Sequence, residues 1–243
     1  MEPQGLTPDP DFATLFQPER RPPCQLYLIS PPDFDVGAHA DALLSALAAG
    51  GPAAQGIRGQ TTIAAYQLRM KGHSDDAILA AAERLLPICR SADVAFILND
   101  RADLAKRAGA DGVHLGQTDG AVAEARALLG ADAQIGVTCH GSRHLAMDAG
   151  EAGANYVAFG AFFPTGTKMV EHHATPDILS WWTALSPIPC VAIGGITPGN
   201  CAPLVKAGAD FLAVSAAVWG DADGPAAAVA RFAAVMKGAA ASD

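Results

Sequence analysis

Basic charge is scarce in this sequence. Its 16 Lys and Arg are outnumbered by 25 Asp and Glu, a formal net charge of −9. That excludes the broad positive field a general nucleic-acid or anionic-membrane binder requires, while leaving room for a few local cations to hold a small anion. Cysteine is sparse and dispersed: Cys24, Cys89, Cys139, Cys190 and Cys201 form an odd set with no CxxC spacing, which argues against a disulfide framework and for reduced thiols in the cytoplasm. The start of the sequence lacks the charged-then-apolar pattern of a signal peptide, and no apolar run is long enough to cross a bilayer. A Gly-x-Gly-x-x-Gly turn after the first strand is also missing, which weighs against an open dinucleotide-binding sheet. The expectation is a cytoplasmic protein with small-molecule partners, without nucleic acid or membrane. A homo-oligomer is compatible with the sequence.

What is abundant is apolar. Half of the 243 residues are hydrophobic, enough for a large core. After a proline-rich arm over 1–22, short β-branched or apolar runs alternate with alanine-rich segments of helical period. The runs are Gln25–Ile29, Ile63–Leu68, Val94–Leu98, Gly112–Leu115, Gln134–Val137, Tyr156–Phe159, Cys190–Ile193 and Phe211–Val214. Helices are expected near 36–49, 74–90, 101–108, 119–129, 141–152, 175–185, 198–207 and 224–238. Strands apolar throughout suit a parallel sheet covered on both faces, and strict alternation requires right-handed βαβ units. Three helices end in Ala-Gly-Ala-Asp or a near match (Ala108–Asp111, Ala152–Asn155, Ala207–Asp210), an internal repeat with glycine as helix stop. The fold class expected is α/β, a single (β/α)₈ TIM barrel over 23–240 behind the short N-terminal arm. The long connection at 50–62 reads as a tolerated insertion at the bottom of the barrel.

In such a barrel the chemistry sits at the C-terminal strand ends. After strand 2, alternation puts Gln67, Arg69 and Lys71 on one side and Leu68 and Met70 on the other. Asn99-Asp100-Arg101 follows strand 3 and Gly116-Gln117-Thr118-Asp119 follows strand 4. Asp100 and Asp119 beside two cations suit Mg²⁺ holding substrate phosphates, although each aspartate also reads as a helix N-cap. Thr138-Cys139-His140 follows strand 5. The His140…His144 spacing resembles a zinc pair but has no further ligand motif and reads as ordinary polar residues. After strand 6, Pro164-Thr165-Gly166-Thr167-Lys168 suits an anion-binding lid; His172 and His173 on the same loop carry no legible role. Gly194-Gly195 after strand 7 and Val214-Ser215 after strand 8 occupy the usual phosphate-binding position of the fold.

These stretches together resemble the thiamine phosphate synthase family. The resemblance rests on Gln67–Lys71, Ile97–Asp103, Gly109–Asp119, Ile135–His140, Tyr156–Lys168, Val191–Asn200 and Gly208–Ala216, in order along the barrel. It implies a transferase that joins hydroxymethylpyrimidine diphosphate to hydroxyethylthiazole phosphate and releases pyrophosphate. By position it implies that Gln67, Arg69, Lys71, Asn99, Thr138 and Lys168 bind the pyrimidine diphosphate. It further implies that Asp100 and Asp119 ligate Mg²⁺, and that Thr165, Thr167, Gly195, Val214 and Ser215 hold the thiazole phosphate. The family commonly has serine where Thr138 stands, and a glycine after the lysine of the lid that is missing between Met169 and Thr175. A related thiazole tautomerase and a non-catalytic phosphate-binding barrel are the alternatives.

Overall fold

The computed structural model describes residues 21–51, 62–164 and 173–241. Eight parallel strands close into a barrel in chain order: β1 Gln25–Ile29, β2 Ile63–Leu68, β3 Ala95–Asn99, β4 Gly112–Leu115, β5 Gln134–His140, β6 Tyr156–Gly160, β7 Cys190–Ile193 and β8 Phe211–Val214. Around them lie α1 Val36–Ala49, α2 Asp75–Ser91, α3 Ala102–Ala108, α4 Val122–Leu129, α5 Arg143–Glu151, α6 Asp177–Leu185, α7 Ala202–Lys206, α8 Ala216–Trp219 and α9 Pro225–Ala240. This is the expected (β/α)₈ TIM barrel. Several element ends depart from expectation: α4 begins at Val122 instead of 119, and β5 runs on to His140. The helix expected from residue 198 begins at Ala202, because Thr197–Asn200 forms a turn closed by the Asn200 side chain on the Thr197 N–H at 2.8 Å. The short α8 follows β8 directly.

The strands are apolar on both faces because each face meets a different layer. Leu26, Leu28, Tyr66, Leu68, Phe96 and Leu98 point outward to the helices. Tyr27, Ile29, Ala65, Ile97, Tyr156, Ala158, Val191 and Ala213 fill the interior, where the small alanines leave room for two tyrosines. On the inward side β4 and β5 supply His114 and Gly136 instead of aliphatic groups.

The repeated helix-ending motif does more than stop a helix. Gly109, Gly153 and Gly208 have φ of 68°, 88° and 95°, the left-handed region that glycine enters without strain. The Asp or Asn that follows clamps a strand residue at two points. Asp111 Oδ2 accepts from Phe96 N at 2.7 Å, Asn155 Oδ1 from Ile135 N at 2.9 Å and Asp210 Oδ2 from Cys190 N at 2.8 Å. Each clamp's own N–H donates to the carbonyl of the same strand residue. Three otherwise unpaired strand-start N–H groups are thereby satisfied at the bottom of the barrel. Arg21, the first described residue, joins one clamp through a 2.6 Å ion pair with Asp210. The rest of the arm, and 52–61 of the insertion, lie outside the described residues. The insertion's ends are tied, since Thr62 N donates to Gly50 O at 3.0 Å.

Candidate active site

The mouth is organised first by a residue that sequence reasoning passed over. Ser30, at the end of β1, is buried. Its hydroxyl accepts from Arg69 N at 2.9 Å and donates to Arg69 O at 3.2 Å, while its N–H donates to Gln67 O. Its carbonyl accepts from Ser215 Oγ at 3.3 Å. One small residue thus ties the end of β2, through its side chain and N–H, to the start of α8, through its carbonyl.

Alternation past β2 holds as expected. Gln67 faces the interior and Met70 packs outward, while Arg69 just past β2 is half-buried and Lys71 is exposed. Among the described residues Arg69 has no carboxylate partner. Lys71 Nζ lies 2.9 Å from Asp100 Oδ2. Asp100 adopts φ 65° and donates its N–H to His114 O at 2.8 Å, a conformation uncommon outside glycine. It does not cap α3. The N-cap there is Arg101, which makes no side-chain capping bond and instead pairs with Asp75 and Asp103 on the outer surface. Nor does Asp119 cap α4, which starts after Ala121. Its carboxylate turns back onto Gly116 N at 2.9 Å. A Cβ on Gly116 would lie 2.5 Å from Asp119 Oδ2, so a side chain there would push the carboxylate off this position. The capping alternative for both aspartates is therefore removed.

Asp100 and Asp119 meet. Burial, followed by a carboxyl–carboxyl hydrogen bond and the negative charge of Asp100, pushes the Asp119 pKa above the usual carboxylate range. The Gly116 N–H and Lys71 pull it partly back. Two carboxyl groups and an ammonium share one corner of the mouth. Asn99 ends β3 beside them, in register with His114.

Thr138, on β5, is reached from two sides. Gln117 Nε2 donates to its carbonyl, and the His114 imidazole Nε2 lies 2.8 Å from its hydroxyl. Behind it runs a buried chain of polar side chains that the sequence did not disclose. His114 Nδ1 is 3.1 Å from Tyr156 Oη, Tyr156 Oη is 2.8 Å from Tyr27 Oη, and Gln67 Nε2 donates to Tyr27 Oη at 3.2 Å. Burial lowers the His114 pKa to about 4, so the ring is neutral. Gly136 makes this layer possible. It sits in register between His114 and Tyr156, whose rings stack with centroids 5.6 Å apart. A Cβ on Gly136 would fall 1.9 Å from Tyr156 Cζ.

On the far side, Gly194 and Gly195 have φ of 107° and 62°. A Cβ on Gly195 would meet Pro164 O at 2.4 Å, so the loop after β6 rests directly on this glycine. Asn200 Nδ2 donates to Gly195 O at 2.9 Å and fixes the turn. Val214 packs outward in the helix layer and offers only its backbone to the mouth. Ser215 precedes α8, whose leading N–H groups have no intrahelical acceptor. Trp219 Nε1, at the end of α8, donates to Ile29 O at 2.6 Å and holds this helix against β1. His140 ends β5 at a register irregularity with φ 51°. His144 lies 3.4 Å from Asp148 on α5, and no group of three or more potential metal ligands forms among the described residues. His173 is exposed, and Thr165, Thr167, Lys168 and His172 lie outside the described residues.

The mouth therefore presents two polar regions, one cationic and acidic over β2–β5, the other built of backbone and hydroxyl over β7 and β8. The thiamine monophosphate synthase family model matches residues 26–218. A thiamine-phosphate synthase of Rhodospirillum centenum is 58% identical over 215 residues, covering 88% of this chain and 99% of that protein. One from Erythrobacter litoralis is 57% identical over 199 residues, covering 81% and 89%. Among solved structures, a thiamine phosphate pyrophosphorylase from Pyrococcus furiosus superposes with a TM-score of 0.73 at 28% identity, covering 88% of this chain and 96% of that one.

Proposed function

The chain belongs to the thiamine monophosphate synthase family, and we propose that it acts as a thiamine-phosphate synthase through the two polar regions of its barrel mouth. The pyrimidine diphosphate binds over β2–β5 and the thiazole phosphate over β7 and β8. Their union forms a carbon–nitrogen bond and releases pyrophosphate. The observation that carries this reading is the convergence of Lys71, Asp100 and Asp119 in one corner, opposite the Gly195 and Ser215 turn.

Gln67 and Thr138 orient the pyrimidine, with Asn99 at its diphosphate end. Arg69, Lys71 and, from the loop beyond the described residues, Lys168 meet the diphosphate. Fixed cations aimed at a leaving group stabilise the charge that develops as it departs, and losing one such donor costs about 10²–10³ in rate. The thiazole nitrogen then takes the pyrimidine carbon, a step that needs placement and no strong base. Placement comes from the thiazole phosphate, held by the backbone of Gly195, Val214 and Ser215 at the start of α8, and by Thr165 and Thr167.

The residues fit Mg²⁺. The two aspartates offer only hard oxygen donors, and Mg²⁺ is commonly held by one or two carboxylates with the remaining positions left to water and phosphate. Their mutual hydrogen bond and the raised Asp119 pKa mark a like-charge pair that a divalent cation relieves. Bound there, Mg²⁺ supplies charge neutralisation to the diphosphate. Residues 23–240 form one catalytic domain in this reading. No helix among the described residues is long and apolar enough to cross a membrane, and we place the enzyme in the cytoplasm. The test is product stoichiometry: both substrates together yield thiamine phosphate and pyrophosphate one for one. Folded protein that yields neither refutes the proposal.

A further inference from the structure

The buried chain from Gln67 to Thr138 has a direction. Its five side chains come from β2, β1, β6, β4 and β5 in turn, so it crosses the barrel interior just beneath the mouth. Both ends are residues assigned above to the pyrimidine. A hydroxyl has one hydrogen, and a neutral imidazole has one N–H and one bare nitrogen. If no buried hydrogen is left without an acceptor, the polarity set at one end fixes the other.

Gln67 Nε2 donates to Tyr27 Oη. Tyr27 is buried and its hydroxyl contacts are Gln67 and Tyr156, so its own hydrogen finds an acceptor only on Tyr156 Oη. Tyr156, having accepted there, donates to His114 Nδ1. That nitrogen is thus the bare one, the proton of the ring sits on Nε2, and Nε2–H donates to Thr138 Oγ1. Thr138 has then accepted from inside the protein, and its hydrogen is left to turn outward. No buried side-chain nitrogen or oxygen among the described residues lacks a partner. In this sense every hydrogen inside the chain has an acceptor; in any other, Tyr27 or Tyr156 accepts twice and its own buried hydrogen is left without one.

We infer that His114 is a positioning residue: locked by Tyr156 as its Nε2–H tautomer, it makes the Thr138 hydroxyl a hydrogen-bond donor toward the substrate. A donor there selects a heteroaromatic ligand that presents a ring-nitrogen acceptor at that edge, and it disfavours one that presents an N–H. The other end is complementary. Gln67 has committed one N–H to Tyr27, so its carbonyl oxygen is available to accept from an exocyclic amine. The inference names the feature of an aminopyrimidine that the site reads, and it rests on the synthase reading for the identity of that ligand.

The experiment has two arms. In the intact chain, labelled with ¹⁵N-histidine and with the His114 resonances assigned through the backbone, ring ¹⁵N correlations at neutral pH should show a pyridine-type Nδ1 and a pyrrole-type Nε2. The opposite tautomer overturns the inference, whether or not the chain makes thiamine phosphate. In the second arm, Tyr156→Phe removes the hydroxyl that holds Nδ1. The kcat/KM for the pyrimidine diphosphate should fall about tenfold or more, the scale of one buried hydrogen bond, while the KM for the thiazole phosphate stays within about twofold. Equal damage to both substrates, or none to either, contradicts a positioning role. If Tyr156→Phe does not fold, the wild-type tautomer decides alone. Failure of the synthase reading is a separate result: no product from a folded preparation in which the Nε2–H tautomer is nonetheless found.

Discussion

Replacing Gly136 by alanine places a methyl carbon where the Tyr156 ring already lies. The new Cβ would be 1.9 Å from Tyr156 Cζ, 2.2 Å from Cε2 and 2.4 Å from Oη. Ordinary carbon contacts lie near 3.5 Å or beyond, so the ring must retreat by about 1.5 Å. It has no free side to retreat to, because Tyr27 and His114 hold its hydroxyl at 2.8 and 3.1 Å. Overpacking of this kind costs about 1–3 kcal/mol, and each hydrogen-bonding group left buried and unpaired adds about 1–3 kcal/mol. With one such group left unpaired, the sum expected is about 2–6 kcal/mol. Gly153→Ala is the control. Gly153 has φ 88° and open space around its would-be Cβ, so the same methyl there costs only the left-handed strain of about 1–2 kcal/mol. Urea unfolding of both variants measures the difference, and thermal unfolding should show a fall of about 2–4 °C in Tm for each kcal/mol in a chain of this size. If Gly136→Ala is no less stable than Gly153→Ala, the packed tyrosine–histidine layer is wrong.

Other consequences are equally open to measurement. Asp100→Ala should remove most of the rate and the response to added Mg²⁺, because it deletes the carboxylate shared by Lys71 and Asp119; a variant that still responds to metal like wild type would place the metal elsewhere. Asn155→Ala should cost about 1–3 kcal/mol in denaturant unfolding, since it strips the buried Ile135 N–H of its acceptor, with substrate KM values unchanged. His39 and His114 are both neutral and buried, with pKa lowered by burial from 6.5 to about 4. Above pH 6.5 neither state takes up the proton. As pH falls from 6.5 towards 4 the unfolded chain binds protons that the folded chain does not, and stability falls by up to about 3 kcal/mol per histidine. A urea midpoint that stays flat from pH 7 to pH 4.5 would contradict their burial as neutral rings.

The strands were legible because a barrel strand is apolar on both faces, and runs such as Gln25–Ile29 and Phe211–Val214 carry that pattern without help from the rest of the chain. The strand ends were legible for the same reason: once Ile63–Leu68 is a strand, Gln67, Arg69 and Lys71 follow by alternation. What was hidden depends on closure. Tyr27, His114 and Tyr156 read as ordinary strand residues, and only the closed barrel brings β1, β4 and β6 within hydrogen-bonding reach. Their visible trace was an aromatic or imidazole with a polar tip at inward positions, beside a glycine, Gly136, that makes room. Ser30 was hidden because two prolines after it draw the eye to a turn. The aspartate and asparagine of the helix-ending repeat were hidden because glycine alone explains the helix stop. The Thr197–Asn200 turn looked like the first turn of a helix, since Pro198 suits either.

The most direct test of the account is the initial rate of thiamine phosphate formation from both substrates, first with a chelator and then with Mg²⁺ restored. The two-region mouth predicts product and pyrophosphate in equal amounts, loss of the rate in chelator, and its return with Mg²⁺. A folded preparation that stays inactive with Mg²⁺, or one that runs at full rate in chelator, contradicts it.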